Sequence, residues 1–137
     1  MSNVDRVNIR EEDRKIYTMI RDQGPLKGRT NKELFLLAMS LGIKKNNRIP
    51  YGSKHKDGWF LLKDLTNKEM SLFRAIAIAE SSDLDILIDK SKVFLIAEEY
   101  ANGGIHLLKQ EIFEKEGADF EKRLESLLRK ELENNFK

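Results

Sequence analysis

Cysteine is absent from the 137 residues, which excludes disulfides and thiolate zinc sites and fits a reducing compartment. Proline is scarce, with Pro25 and Pro50 the two examples, so long stretches are free to be helical. No apolar run approaches membrane-spanning length, and the opening MSNVDRVNIREEDRK lacks the apolar centre of a secretory signal. The expectation is a soluble, cytoplasmic chain with no membrane partner. Histidine is limited to His55 and His106, neither of which has a second histidine at metal-binding spacing. Nucleophile elbows, Walker loops and dinucleotide fingerprints are missing as well. From the sequence we therefore assign no catalytic residue, no metal and no cofactor.

What is present is charge. Charged residues make up 35% of the chain and apolar residues 40%, the balance of a soluble globular domain with a real core. The charge is uneven: residues 1–63 hold 14 Lys/Arg and 7 Asp/Glu, whereas residues 64–137 hold 11 and 16. The halves thus carry +7 and −5. Two readings stand. A basic surface faces a polyanion or an acidic partner, or the two halves attract each other and their charges are solvated.

The pattern along the chain is helical. Residues 1–8 are polar and expected to be flexible. A helix is expected from Ile9, with Ile16, Tyr17 and Ile20 at helical spacing and Gly24-Pro25 as its stop. The tetrapeptide TNKE occurs at Thr30–Glu33 and again at Thr66–Glu69; a threonine with glutamate three residues on is the capping-box signature, so both mark helix starts. The first opens LFLLAMSLG, apolar nearly all round and hence expected to be buried, with Gly42 at its end. Between the boxes, Pro50, Gly52 and Gly58 break any helix, and RIPY and WFLL flank the polar turn GSKHKDG as the arms of a short ribbon.

Further on, Asp83, Asp85 and Asp89 read as helix and turn caps rather than cation ligands, because the glycine and terminal glutamate of a calcium loop are missing. Glu98 and Glu99 lie about 100° apart on a helix and do not converge as an acid/base pair. Asn102-Gly103-Gly104 then reads as a helix end and a corner between packed helices. From 118 to 137, Phe120, Leu124, Leu127 and Leu128 form the stripe of an amphipathic helix that caps the core or meets a partner, including a second copy of the chain. The expected architecture is all-α: one compact domain over 1–137, five to six helices, and a small β-ribbon or irregular insertion near 48–63.

The sharpest functional reading is nucleic-acid contact. Lys44, Lys45, Arg48, Lys54, Lys56 and Lys63 surround Tyr51, Trp59 and Phe60. Cations on a protruding ribbon meet phosphates, and an exposed Trp59 stacks on a base. In the opposing reading, Trp59 and Phe60 face the core and the lysines only solubilise a loop.

ELFLLAMSLGIKKNNRIP, FRAIAIAESSDLDILID and FLIAEEYANGGIHLLKQEI together resemble the Dnd system-associated protein 4 family, small proteins encoded with DNA phosphorothioation genes in bacterial defence islands. The likeness covers roughly Ile16 to Ile112, with the YANGG segment (Tyr100, Asn102, Gly103, Gly104) and the helix end Met39-Ser40-Leu41-Gly42 as its most specific features. It implies a non-enzymatic accessory role in a modification or restriction apparatus, through DNA or through partner proteins of the system. The alternative is an interaction or oligomerisation scaffold with no nucleic-acid contact.

Overall fold

The computed structural model describes residues 5–113 and 127–133. Four helices, α1 (Arg14–Asp22), α2 (Asn31–Lys44), α3 (Asn67–Ser81) and α4 (Lys90–Phe113), carry most of these residues. Residues 127–133 are also helical. One antiparallel pair of strands, β1 (Arg6–Arg10) and β2 (Lys56–Leu61), completes the fold. The class is mainly α with a small β insertion, as the sequence implies.

Both TNKE boxes form. Thr30 Oγ1 accepts the Glu33 N–H at 3.1 Å while Glu33 Oε1 accepts the Thr30 N–H at 3.0 Å. Thr66 and Glu69 repeat the exchange at 3.1 and 2.9 Å. Two otherwise unpaired donors are satisfied at each helix start. The acid of the second box also receives Lys32 Nζ at 3.1 Å, so the cap of α3 is tied to the first turn of α2.

Strand β2 forms where WFLL was expected to be extended, but its partner is not RIPY. It pairs with Arg6–Arg10, so residues 6–8, expected to be flexible, are strand, and the helix expected from Ile9 begins later, as α1 with Ile16, Tyr17 and Ile20; residues 1–4 lie outside the described residues. The cause is a short two-residue alternation: Val7 and Ile9 are fully buried on either side of a half-buried Asn8. A bulge between Val7 and Asn8 leaves Trp59 unpaired between Phe60 and Gly58. Consecutive strand residues normally face opposite ways; the bulge lets Trp59 and Phe60 both turn inward.

The second correction concerns the two glycines. Helix α4 does not stop at Asn102-Gly103-Gly104; it runs unbroken for 24 residues. An added Cβ at Gly104 would lie 1.6 Å from the Ala38 carbonyl oxygen, and one at Gly103 would lie 2.0 Å from that of Asn47. Gly42, expected to end α2, instead lies inside it and faces the Tyr100 carbonyl oxygen, 2.0 Å from where its Cβ would be. Gly42 and Gly104 bring the backbones of α2 and α4 together, and Gly103 admits the backbone of the segment that follows α2. This α2–α4 crossing is the largest contact in the fold. As its all-round apolar sequence implies, α2 is buried from Leu34 to Gly42. An aromatic chain of Phe60, Phe35, Phe73 and Phe94, with neighbouring centroids 5.4, 6.2 and 5.4 Å apart, links β2, α2, α3 and α4.

Candidate interaction site

The middle of helix α4, from Val93 to Ile105, is buried and mostly apolar, and polar residues interrupt it along one stripe. Glu98, Asn102 and His106, four residues apart, share one face, and Glu99 lies beside them. On this stripe the segment 45–52 is strapped down. The Ile49 N–H donates to the Glu99 carbonyl at 2.9 Å, Asn102 Nδ2 donates to the Ile49 carbonyl at 3.0 Å, and Asn47 Nδ2 donates to the Gly103 carbonyl at 3.3 Å.

Glu98 joins the strap to the sheet. One carboxylate oxygen accepts the Asn8 N–H at 3.0 Å and the other accepts the Tyr51 hydroxyl at 2.9 Å. Burial pushes its pKa up to about 7 despite these donors. Desolvation and the Glu98 charge raise the Tyr51 hydroxyl too, so it remains a donor. Next along the stripe, Arg10 Nε donates to Asp13 at 2.7 Å, and Arg10 Nη2 lies 2.9 Å from His106 Nε2 and 3.3 Å from the Asn102 carbonyl. His106 Nε2 is also 3.2 Å from Asp13 Oδ1. The Tyr17 hydroxyl is buried with no hydrogen-bond partner among the described residues, and its pKa is raised by burial and by Asp13.

Glu99 faces elsewhere, as helix geometry requires. It accepts Arg48 Nε at 2.7 Å, while Arg48 Nη1 reaches Glu80 at 3.1 Å. Glu80 also accepts the Tyr100 hydroxyl, which holds the Glu80 pKa below its usual value. Both acids therefore hold the strap, Glu98 joining it to β1 and Glu99, through Arg48, joining it to Glu80 of α3.

The residues expected to meet nucleic acid differ in burial and in partners. Trp59 is 4% exposed: it packs on Tyr17 at 5.1 Å, donates Nε1–H to the Asn31 carbonyl at 2.9 Å, and lies under the Arg14 and Arg21 guanidinium groups. It belongs to the core and does not reach a base. Arg48 is held by two acids and Lys44 pairs with Glu131 at 2.9 Å. Lys54 lies 3.6 Å from Glu12, and Lys56 sits over the Tyr51 ring at 4.7 Å. Lys45 and Lys63 are exposed. Lys56 starts β2 and Lys63 lies beyond its end, roughly 20 Å away by strand rise.

Of the expected partner stripe, Leu127 and Leu128 pack against the core of their own chain, while Phe120 and Leu124 lie outside the described residues. Asp83 and Asp89 cap, as read: Asp83 Oδ1 accepts the Asp85 N–H at 2.9 Å and Asp89 Oδ1 the Lys92 N–H at 3.3 Å. Among the described residues no cluster of His, Asp or Glu is arranged to hold a metal, and no helix is long and apolar enough to cross a membrane.

What sequence reasoning missed is the polar stripe. Its signal was the four-residue spacing of Glu98, Asn102 and His106 through the mostly apolar middle of a helix. Those residues lie in and beside the segment that carried the family resemblance. Neither a curated protein nor a solved structure matches the chain. The family model described as DNA sulphur modification system-associated protein 4 matches residues 6–137, beginning at the first residue of β1, and the chain belongs to that family.

Proposed function

We propose that this protein is a non-enzymatic bridging component of its DNA sulphur modification system, acting by holding a partner protein rather than by transforming a substrate. One observation carries the reading: the polar groups concentrated on α4 are engaged within the chain. Glu98, Glu99 and Asn102 each anchor the strap or β1 through hydrogen bonds. Such an arrangement rigidifies a scaffold. The positive charge of the first half is partly neutralised in the same way, with Arg48 and Lys44 each paired to acids of the second half.

The test is co-expression with the other proteins of the system, followed by affinity purification with and without nuclease. Bridging predicts a complex that survives nuclease and moderate salt. A complex seen only while DNA is present would refute it. Direct duplex contact is the second reading, favoured by the exposure of Lys45, Lys54, Lys56 and Lys63. It predicts retardation of plain or phosphorothioated duplex that weakens steeply with salt and is lost when the four lysines become glutamate.

A further inference from the structure

Five large apolar side chains are exposed among the described residues, and three of them fall in one short turn. Leu84 is 69% exposed, Leu87 38% and Ile88 84%. They belong to the 3₁₀ turn Leu84–Ile88 that connects α3 to α4. Residues three apart eclipse in a 3₁₀ turn, which places Leu84 and Leu87 on one side. Scattered surface leucines are ordinary; a concentration of this kind marks an interaction surface.

The turn is also held in shape before any partner arrives. Ile86 packs against the core. At the entry, Ser82 takes a left-handed conformation with φ of 55°, Ser81 Oγ accepts the Asp83 N–H at 3.2 Å, and Asp83 caps the turn. At the exit, the Asp89 N–H donates to the Ile86 carbonyl at 3.1 Å while its carboxylate caps α4. An apolar surface presented on fixed backbone loses little conformational freedom on binding.

Its charge identifies the partner. The sequence Asp83-Leu84-Asp85-Ile86-Leu87-Ile88-Asp89 sets three acids among four hydrophobes and contains no cation. All three aspartates are exposed, and none forms an ion pair among the described residues. Lys90 and Lys92 follow only on the first turn of α4. We infer that the Leu84–Ile88 turn docks a basic amphipathic segment of a partner protein, its apolar residues covering Leu84, Leu87 and Ile88 and its Lys/Arg facing Asp83, Asp85 and Asp89. Complementary charge would steer the encounter and set its orientation, and the apolar contact would supply the affinity. This inference rests on the bridging role proposed above and names the surface that performs it.

The experiment uses the full chain co-purified with the other proteins of its system, in three forms: wild type, Leu84→Ser/Ile88→Ser, and Asp83→Asn/Asp85→Asn/Asp89→Asn. Asparagine caps as well as aspartate, so the last variant removes charge and leaves the caps intact. Both variants should melt as the wild type does, because the altered side chains are exposed. The double serine variant should weaken association about 10- to 100-fold. The asparagine variant should slow association several-fold and flatten its dependence on salt. Cross-linking should place a Lys/Arg-bordered apolar segment of the partner against residues 83–89. Association unchanged in the serine variant, or a cross-linked segment that is acidic, would overturn this surface while leaving the bridging role standing. Failure of the wild type to associate with any protein of the system would overturn both. A concentration-dependent homodimer lost in the serine variant would assign the surface to a second copy and overturn the basic-partner inference.

Discussion

Replacing Gly104 with alanine separates a close helix crossing from a helix corner. The Cβ of alanine would sit 1.6 Å from the Ala38 carbonyl oxygen and 2.7 Å from the Gly42 nitrogen, where ordinary contact begins at 3.4 Å. Both are backbone atoms of α2, so no side chain can swing aside. Helices α2 and α4 must therefore part by about 1.8 Å, the difference between 3.4 and 1.6 Å. A gap of that size forfeits much of the dispersion contact across the largest interface in the protein. Overpacking costs about 1–3 kcal/mol, and a clash with unyielding backbone belongs at the upper end, about 3 kcal/mol, which lowers Tm by about 10 °C in a domain of this size. Intrinsic propensity pushes the other way, since alanine in place of glycine favours an exposed helix by about 1 kcal/mol. Gly28 provides a calibration. Its φ is +91° and nothing lies within 4 Å of its Cβ position, so alanine there meets backbone strain alone, costing about 1–2 kcal/mol. Thermal unfolding followed by far-UV circular dichroism reads both variants. A Gly104→Ala protein that melts at or above the wild type would refute the close crossing.

Three other perturbations test the anchors. The fold keeps the Glu98 proton up to about pH 7 whereas the unfolded chain releases it near 4.5, so the contribution of this group to stability should fall as pH rises through that interval, by about 3 kcal/mol in total. Glu98→Gln should remove this slope and be the more stable protein at pH 8; urea titrations across pH giving parallel curves would contradict the assignment. Thr30→Ala and Thr66→Ala should each cost about 1 kcal/mol in urea denaturation, because each removes the side-chain cap that starts a helix. Arg48→Ala should cost about 2 kcal/mol by leaving Glu99, which is 7% exposed, without its cation, and a second change of Glu99→Gln should restore part of the loss in a double-mutant cycle.

Local chemistry was legible in the sequence. The TNKE boxes are complete within four residues, and the all-round apolar pattern of α2 needs no partner to be read as buried. Contacts between distant segments were not legible. Val7 and Ile9 are too short an alternation to announce a strand until β2 lies beside them, and Trp59 reads equally well as a base-stacking residue until the bulge turns it inward. Gly103 and Gly104 have the composition of a helix end; only the carbonyls of Asn47 and Ala38 show why glycine is required inside a helix. The pairing of Arg48 was hidden for the same reason, since the acids that hold it stand 32 and 51 residues away in the chain.

The tie between the first strand and α4 bears on how the molecule acquires its shape. Asn8 is bonded to a residue 90 positions later, and Arg10 to partners 92 and 96 positions later. Closing such wide loops is entropically demanding, so this seam belongs among the last parts of the native topology to form. During synthesis the opening residues must wait for α4 to be made, with Val7 and Ile9 left in water. A chain shortened at either end of that seam loses a lock as well as a segment.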